Sequence, residues 1–407
     1  EQARGLLDGE DDGFLIETCQ DLLQVKCAIN ACLAALDETG RSVDDTPIMV
    51  SLTIETNGTM LLGAEIASAV TTLAPYPIAS LGLNCATGPV EMEEHLRYLS
   101  QQWDRPISVV PNAGLPVLHE GQAVFPLKPK PMSETLRGYI EDLGVRIVGG
   151  CCGTTPAHIA GLRDVIDTVV VADRSPLTVE PGCSSGYAHV DYTQENSFLI
   201  VGERMNASGS RKFRQLLEDE QWDAIVDLAR DQVRNGANVL DINVDYAGRD
   251  NAADMATIVE RVVGSVSAPL MIDSTQLSTI EAGLKHAPGK SIINSGNFED
   301  GEEKFDAVCA LATTYGAAIV IGSIDEDEES AMARTKERKV SIAHRAFVRA
   351  TEHHGIAPCD VIFDPLVLPI STGMDADRRS GVELVEAVAE LSKTLPECQI
   401  TCGLSNC

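Results

Sequence analysis

The stretch Leu81–Pro89, LGLNCATGP, is an apolar run that ends on an amide, a thiol and a turn. Arg146–Pro156, RIVGGCCGTTP, ends another run on two adjacent cysteines. The same unit recurs along the chain: a short apolar run closing on polar residues, then a longer amphipathic stretch. Before residue 172 the runs are GFLIET from Gly13, IMVSLT from Ile48, IASLGLNC from Ile78, ISVVPN from Ile107 and VRIVGGCC from Val145. After residue 197 they are FLIVGER, NVLDIN, LMIDST, SIINS, AAIVIGS, VIFDP and ITCGLSN. Helical patterns lie between them, as in QWDAIVDLARDQVRNGA, where apolar residues recur at three and four. Strands apolar on both faces and alternating with helices indicate a parallel sheet. Polar residues gathered at the C-terminal strand ends are the mark of a (β/α)8 TIM-type barrel. A doubly wound sheet is the structural alternative, but no GxGxxG turn supports it.

The predicted fold class is therefore α/β, with two consecutive barrels. Five runs precede the Pro-, Gly- and Ser-bearing stretch at 173–197 and seven follow it, so each barrel is short of the eight strands that closure needs. The expected organisation is a first barrel over 1–172, a linker over 173–197 and a second barrel over 198–407.

Composition narrows the function. Hydrophobic residues make up 44% of the 407, as in a globular protein with room for two cores. The 61 acidic residues against 31 basic ones leave a net charge of −30, which disfavours nucleic acid and anionic lipid as partners. No run approaches the roughly 18 apolar residues of a membrane span, and EQARGLLDGEDDG does not read as a signal peptide. The expected location is cytoplasmic. The twelve cysteines, scattered without a compact framework, then read as reduced thiols.

Cys85, Cys151 and Cys152 would all stand on one barrel rim. Three thiolates with an open fourth position suit a catalytic zinc ion. Adjacent cysteines are not a standard ligand spacing, so buried inert thiols and a vicinal disulfide stand as alternatives. Thr155 and Pro156 read as N-cap and first residue of the next helix, on which His158 points away from the thiols. The acidic run from Asp325 and the pair His353–His354 read as solvated surface.

GLNC followed by GGCCGTTP resembles the zinc signature of the homocysteine S-methyltransferase family, with IETCQDLLQVK, SLTIET and PNAGLP in the family's order. The resemblance implies Cys85, Cys151 and Cys152 as zinc ligands and Glu17 as the holder of the homocysteine amino group. It also implies that 1–172 are the last five strands of that barrel, since its opening DGAMGT-like segment is absent. The second half resembles the pterin-binding barrel of the cobalamin-dependent methyltransferases, through VGERMNASGS, NVLDINVD, MIDST, SIINS, IFDPLVLPISTG and GLSN. By that resemblance Asp273, Asn294, Asp364 and Asn406 contact methyltetrahydrofolate in a barrel showing its first seven strands. Asn406 would hydrogen-bond N5 as the methyl leaves.

The residues suit such a ligand. Asp273 and Asp364 accept paired hydrogen bonds from a guanidine-like pterin edge, and Asn294 both donates and accepts. A ring of Asp and Asn also suits Mg²⁺ or helix caps, and Asp241 and Asn243 read as support, in a segment, DINVDYAGRD, that departs from the family pattern. Together the resemblances imply transfer of a methyl group from 5-methyltetrahydrofolate through cobalamin to zinc-activated homocysteine, giving methionine. Nothing resembles a cobalamin-binding DxHxxG segment, so a cobalamin-binding domain or subunit is expected outside this sequence. The rival readings are a two-barrel enzyme served by a separate corrinoid protein, a pteroate synthase-type enzyme, and a non-catalytic module binding zinc or folate.

Overall fold

The computed structural model describes residues 1–174, 180–327, 330–370, 372 and 377–404. It divides into two compact units, Glu1–Glu180 with Gly186–His189, and Pro181–Ser185 with Val190–Cys407. No helix among the described residues is long and apolar enough to cross a membrane.

The first unit is a wall of five parallel strands, β1 (Phe14–Cys19), β2 (Ile48–Leu52), β3 (Ser80–Asn84), β4 (Ile107–Val110) and, after a hairpin, β7 (Ile147–Val148). The hairpin is β5 (Val117–His119) paired antiparallel with β6 (Gln122–Val124). Short strands β8 (Gly182–Ser184) and β9 (His189–Asp191) lead to the second unit. Its wall has seven parallel strands: β10 (Val201–Asn206), β11 (Val239–Asn243), β12 (Leu270–Asp273), β13 (Ile292–Gly296), β14 (Ala318–Gly322), β15 (Val361–Asp364) and β16 (Gln399–Ile400). In both walls each strand pairs with its neighbour in sequence. That order belongs to a barrel wall; a doubly wound sheet reverses direction part-way. Both units are thus partial (β/α) barrels.

Alternation along the strands of the second unit makes two layers. Leu240, Ile242, Ile272, Ile293, Ile321 and Phe363 join the large core shared with the helices. Val239, Met271, Ile292, Val320 and Ile362 form a separate inner cluster. One step beyond that inner layer, on the same face, come Asp241, Asp273, Asn294 and Asp364. The apolar inner layer is therefore the floor beneath the polar strand ends.

The segment before β10 closes that floor from the other side. Cys183 and Tyr192 are buried in the inner cluster, with Val190, Leu199 and Val201 packed against it. Ser184 is bound to Lys290 backbone to backbone, and its hydroxyl accepts the Lys290 N–H at 2.9 Å. Pro, Gly and Ser hid this role, because a plug needs no period. The acidic surface run is also more engaged than its charge suggests: Asp325 pairs with Arg338 and Glu326 with Arg345, while His354 lies 2.9 Å from Asp306.

Below the inner layer, Lys290 Nζ stands 2.5 Å from Asp360 Oδ1, an ion contact off the line of a directed hydrogen bond, with both side chains almost wholly buried. Removing one member strands a charge; removing both strands none. Lys290→Met should lower stability by about 3–5 kcal/mol, and Lys290→Met with Asp360→Leu should recover most of it. Urea denaturation of the variants checks this, and a double variant no more stable than the single one contradicts it.

Candidate functional site

The two cysteine loops of the first unit share one anchor, the last residue of β4 and the three that follow it. Cys85 N donates to Val110 O at 3.1 Å and Cys151 N to Pro111 O at 2.8 Å. Cys152 N donates to Asn112 Oδ1 at 3.0 Å, and Ala113 N donates back to Cys152 O at 2.9 Å. Cys85 itself holds φ +60°, a left-handed conformation that non-glycine residues keep where the surroundings enforce it. Gly153, at φ +77°, passes so close to Phe125 that a Cβ would sit 2.3 Å from it, so the turn after the cysteine pair requires glycine.

These anchors bring the sulfurs together. Cys85 Sγ is 3.7 Å from Cys152 Sγ, Cys151 Sγ is 4.0 Å from Cys152 Sγ, and all three lie within 4.8 Å of one another. Sulfurs bound tetrahedrally to one zinc ion stand about 3.8 Å apart, so the donor set fits zinc. Cys152 is exposed and the other two half-buried, which leaves one face of the trio open. Burial first, then Cys85, push the Cys151 thiol up to about 12; for Cys152 the hydrogen bond with Cys85 leads. Three thiols so close cannot ionise together without a cation among them.

His158 is occupied elsewhere. Its Nδ1 accepts the Thr155 N–H at 3.1 Å, so Nε2 carries the proton and donates to Leu127 O at 3.0 Å. Thr155 and His158 thereby form a capping box at the start of helix Pro156–Ile166. Glu17 is exposed at the C-terminal end of β1, where the register with β2 slips between Ile16 and Cys19. The next residue, Thr18, is tied to the buried Asn84: its N–H donates to Asn84 Oδ1 at 3.1 Å and its hydroxyl accepts from Asn84 Nδ2 at 2.9 Å. Ser51 Oγ donates to the same Oδ1 at 2.8 Å. One amide thus joins the Glu17 bulge to the residue before Cys85.

In the second unit the strand ends form an acid-and-amide mouth. Register pairs Asn243 with Asp273 and Asp273 with Asn294, a polar row across three strands, and sets Asp364 beside Gly322. Asn294 Nδ2 donates to Asp241 Oδ1 at 3.2 Å. Burial raises the Asp273 carboxyl to about 6, against a hydrogen bond from Asn243, and the charges of Asp245 and Glu203 raise it further. Asp241 is driven well above the usual carboxylate range, by burial and then by Asp273. Burial also raises Asp364, opposed by the Leu366 N–H, which donates to it at 2.9 Å, and by Lys339. Desolvation leads in all three, so each further donor brought to these carboxylates would favour their charged form.

Sequence reasoning passed over Glu203, whose charge is felt by Asp241, Asp273 and Asp364. It also passed over Asp245, which accepts from Ser274 Oγ at 2.7 Å and Thr275 N at 2.9 Å and so locks the β11 loop to the β12 loop. Among the described residues, the cysteine trio is the one group of three His, Cys, Asp or Glu side chains gathered closely enough to hold a metal ion. Asn406 lies outside the described residues.

A family model for homocysteine S-methyltransferase matches residues 1–166, and one for pterin binding enzymes matches residues 202–407. The chain belongs to the pterin-binding enzyme family. Methionine synthase of Mycobacterium tuberculosis is 44% identical over 409 residues, covering 100% of this chain and 34% of that protein. Methionine synthase of Mycobacterium leprae is 43% identical over 413 residues, again 100% of this chain and 34% of the relative. The chain thus spans about a third of the length of these relatives. Among solved structures, the apo homocysteine methyltransferase MmuM of Escherichia coli is 26% identical, with a TM-score of 0.31 over 40% of this chain and 53% of that one.

Asn84→Ala removes the partner of Thr18 N–H and Ser51 O–H together. It should cost about 1–3 kcal/mol in a urea melt and speed alkylation of Cys85, whose loop it no longer braces. A midpoint and an alkylation rate equal to the parent's contradict the bracing role.

Proposed function

We propose that this pterin-binding family member is the thiol- and folate-handling part of a cobalamin-dependent methionine synthase. Its reaction moves the N5 methyl of 5-methyltetrahydrofolate, by way of cobalamin, to homocysteine, giving methionine and tetrahydrofolate. The observation that carries this reading is the presence on one chain of two unlike sites: a sulfur trio spaced for zinc, and a row of acids and amides side by side at the strand ends of the second unit. A pteroate synthase-type enzyme has no use for the first. A cytoplasmic setting fits, since the described cysteines are all free thiols.

Cys85, Cys151 and Cys152 would hold zinc, which supplies Lewis-acid activation of a substrate thiol and lets it ionise at neutral pH. The open face of the trio admits that thiol from the side where Cys152 is exposed. Glu17, on the end of β1 and free in solvent direction, is assigned the homocysteine ammonium. The link from Thr18 to Asn84 would fix the distance between amino group and sulfur.

In the second unit Asp273 and Asp364 are assigned the donor edge of the pterin and Asn294 the mixed edge. Each hydrogen bond they accept relieves a carboxylate that burial has left under-solvated. Asn406 is assigned the hydrogen bond to N5, which makes the nitrogen a better leaving group. The corrinoid belongs to a cobalamin-binding domain or subunit beyond these residues and supplies the methyl carrier.

Calorimetric titration tests the assignment of both sites at once. Asp273→Asn should weaken methyltetrahydrofolate binding by about 1–3 kcal/mol and leave homocysteine binding to the zinc-loaded chain unchanged; Cys152→Ser should do the reverse. A protonated Asp273 cannot accept both donors, so folate affinity of the parent should be full above pH about 6 and fall as pH drops through it, a dependence weakened in Asp273→Asn. Folate affinity indifferent to Asp273, or homocysteine affinity indifferent to Cys152, contradicts the reading.

A further inference from the structure

Beneath the mouth of the second unit lies a buried cation with no part in the roles above. Lys339, on helix Lys336–Val348, is 1% exposed. Its ammonium donates to the carbonyl oxygens of Pro365 and Leu366, the latter at 3.1 Å. Those are the two residues that follow Asp364. Leu366 holds φ +59°, unfavourable for a γ-branched side chain, and its N–H returns to Asp364 Oδ1 at 2.9 Å. The turn is therefore gripped twice, by the Asp364 carboxylate on one side and by the lysine on the other.

Two carbonyls alone do not call for a charge, since a neutral amide satisfies an acceptor at less desolvation cost. The groups around Lys339 come from several elements. Asp364 at the end of β15, Cys402 after β16 and Glu383 on helix Ser380–Thr394 favour its charged form; burial, the largest influence, and Arg334 oppose it, leaving it at about 8. Asp364 feels the lysine in return, which holds its carboxyl lower than burial alone would. Of these groups, Asp364 is the one at the polar strand ends of the inner face.

We propose that Lys339 is a positioning residue for Asp364: it locks the Pro365–Leu366 turn from below and so fixes the carboxylate that meets the ligand at the mouth. The proposal rests on the reading of Asp364 as a folate ligand. A lysine that merely fills the core would matter for stability and be indifferent to what Asp364 does.

Titration of 5-methyltetrahydrofolate into the whole chain and into Lys339→Met, Asp364→Asn and the double variant separates the two. Each single variant should weaken binding by about tenfold, and the double variant by about the same factor, because the two residues act as one. Lys339→Gln keeps a neutral donor to one carbonyl and should lose less than Lys339→Met; it also serves if the methionine variant does not fold. Losses that multiply to about a hundredfold, or parental affinity in both Lys339 variants, overturn the positioning role and leave the folate reading intact. Parental affinity in Asp364→Asn overturns the folate reading of Asp364 itself, and the proposal with it.

Discussion

Everything at the thiol site depends on the four residues Val110–Ala113, whose backbone and side-chain amide hold both cysteine loops. Three thiols from two distant loops gain nothing from meeting one another, and without a cation they share out protons. Their approach has to be imposed by bonds made elsewhere. The end of β4 imposes it because a parallel strand offers its last carbonyls to the strands on both sides, β3 and β7. The left-handed Cys85 and the crowded Gly153 are what the chain accepts to complete the gathering.

The second unit poses the opposite problem. Its floor is apolar and closed from beneath by Cys183 and Tyr192, so the carboxylates standing on it lose part of their solvation. Burial is the leading influence on Asp241, Asp273 and Asp364 alike. A site so built holds its acceptors in place by backbone, amide and hydroxyl bonds, as Asp245 does between two loops. The preorganisation lies in the floor and the loops, ahead of any ligand.

Much of this was legible in the sequence. The polar endings of the apolar runs mark strand ends whatever the fold's details, and the strand–helix alternation within each half predicts the consecutive parallel order that the structure has. Cys85, Cys151 and Cys152 could be named together because they close two such runs. Asn84 and Asn112 could not, since an amide at a strand end reads the same whether it faces solvent or braces a loop, and only the partner strands decide. Lys339 was hidden among the charges of ERKVSIAHR, where nothing local separates a buried lysine from its exposed neighbours. The plugging residues Cys183 and Tyr192 sit in no periodic pattern, because they are buried by contacts with strands far along the chain.

The central claim is that three anchored thiols leave one position of a metal site open for the substrate. Zinc-edge X-ray absorption on the zinc-loaded chain, before and after homocysteine, tests it most directly. The account predicts three sulfur neighbours at about 2.3 Å and one lighter atom, becoming four sulfurs when homocysteine is added. An unchanged sulfur count on adding homocysteine, or fewer than three sulfurs beforehand, would contradict it.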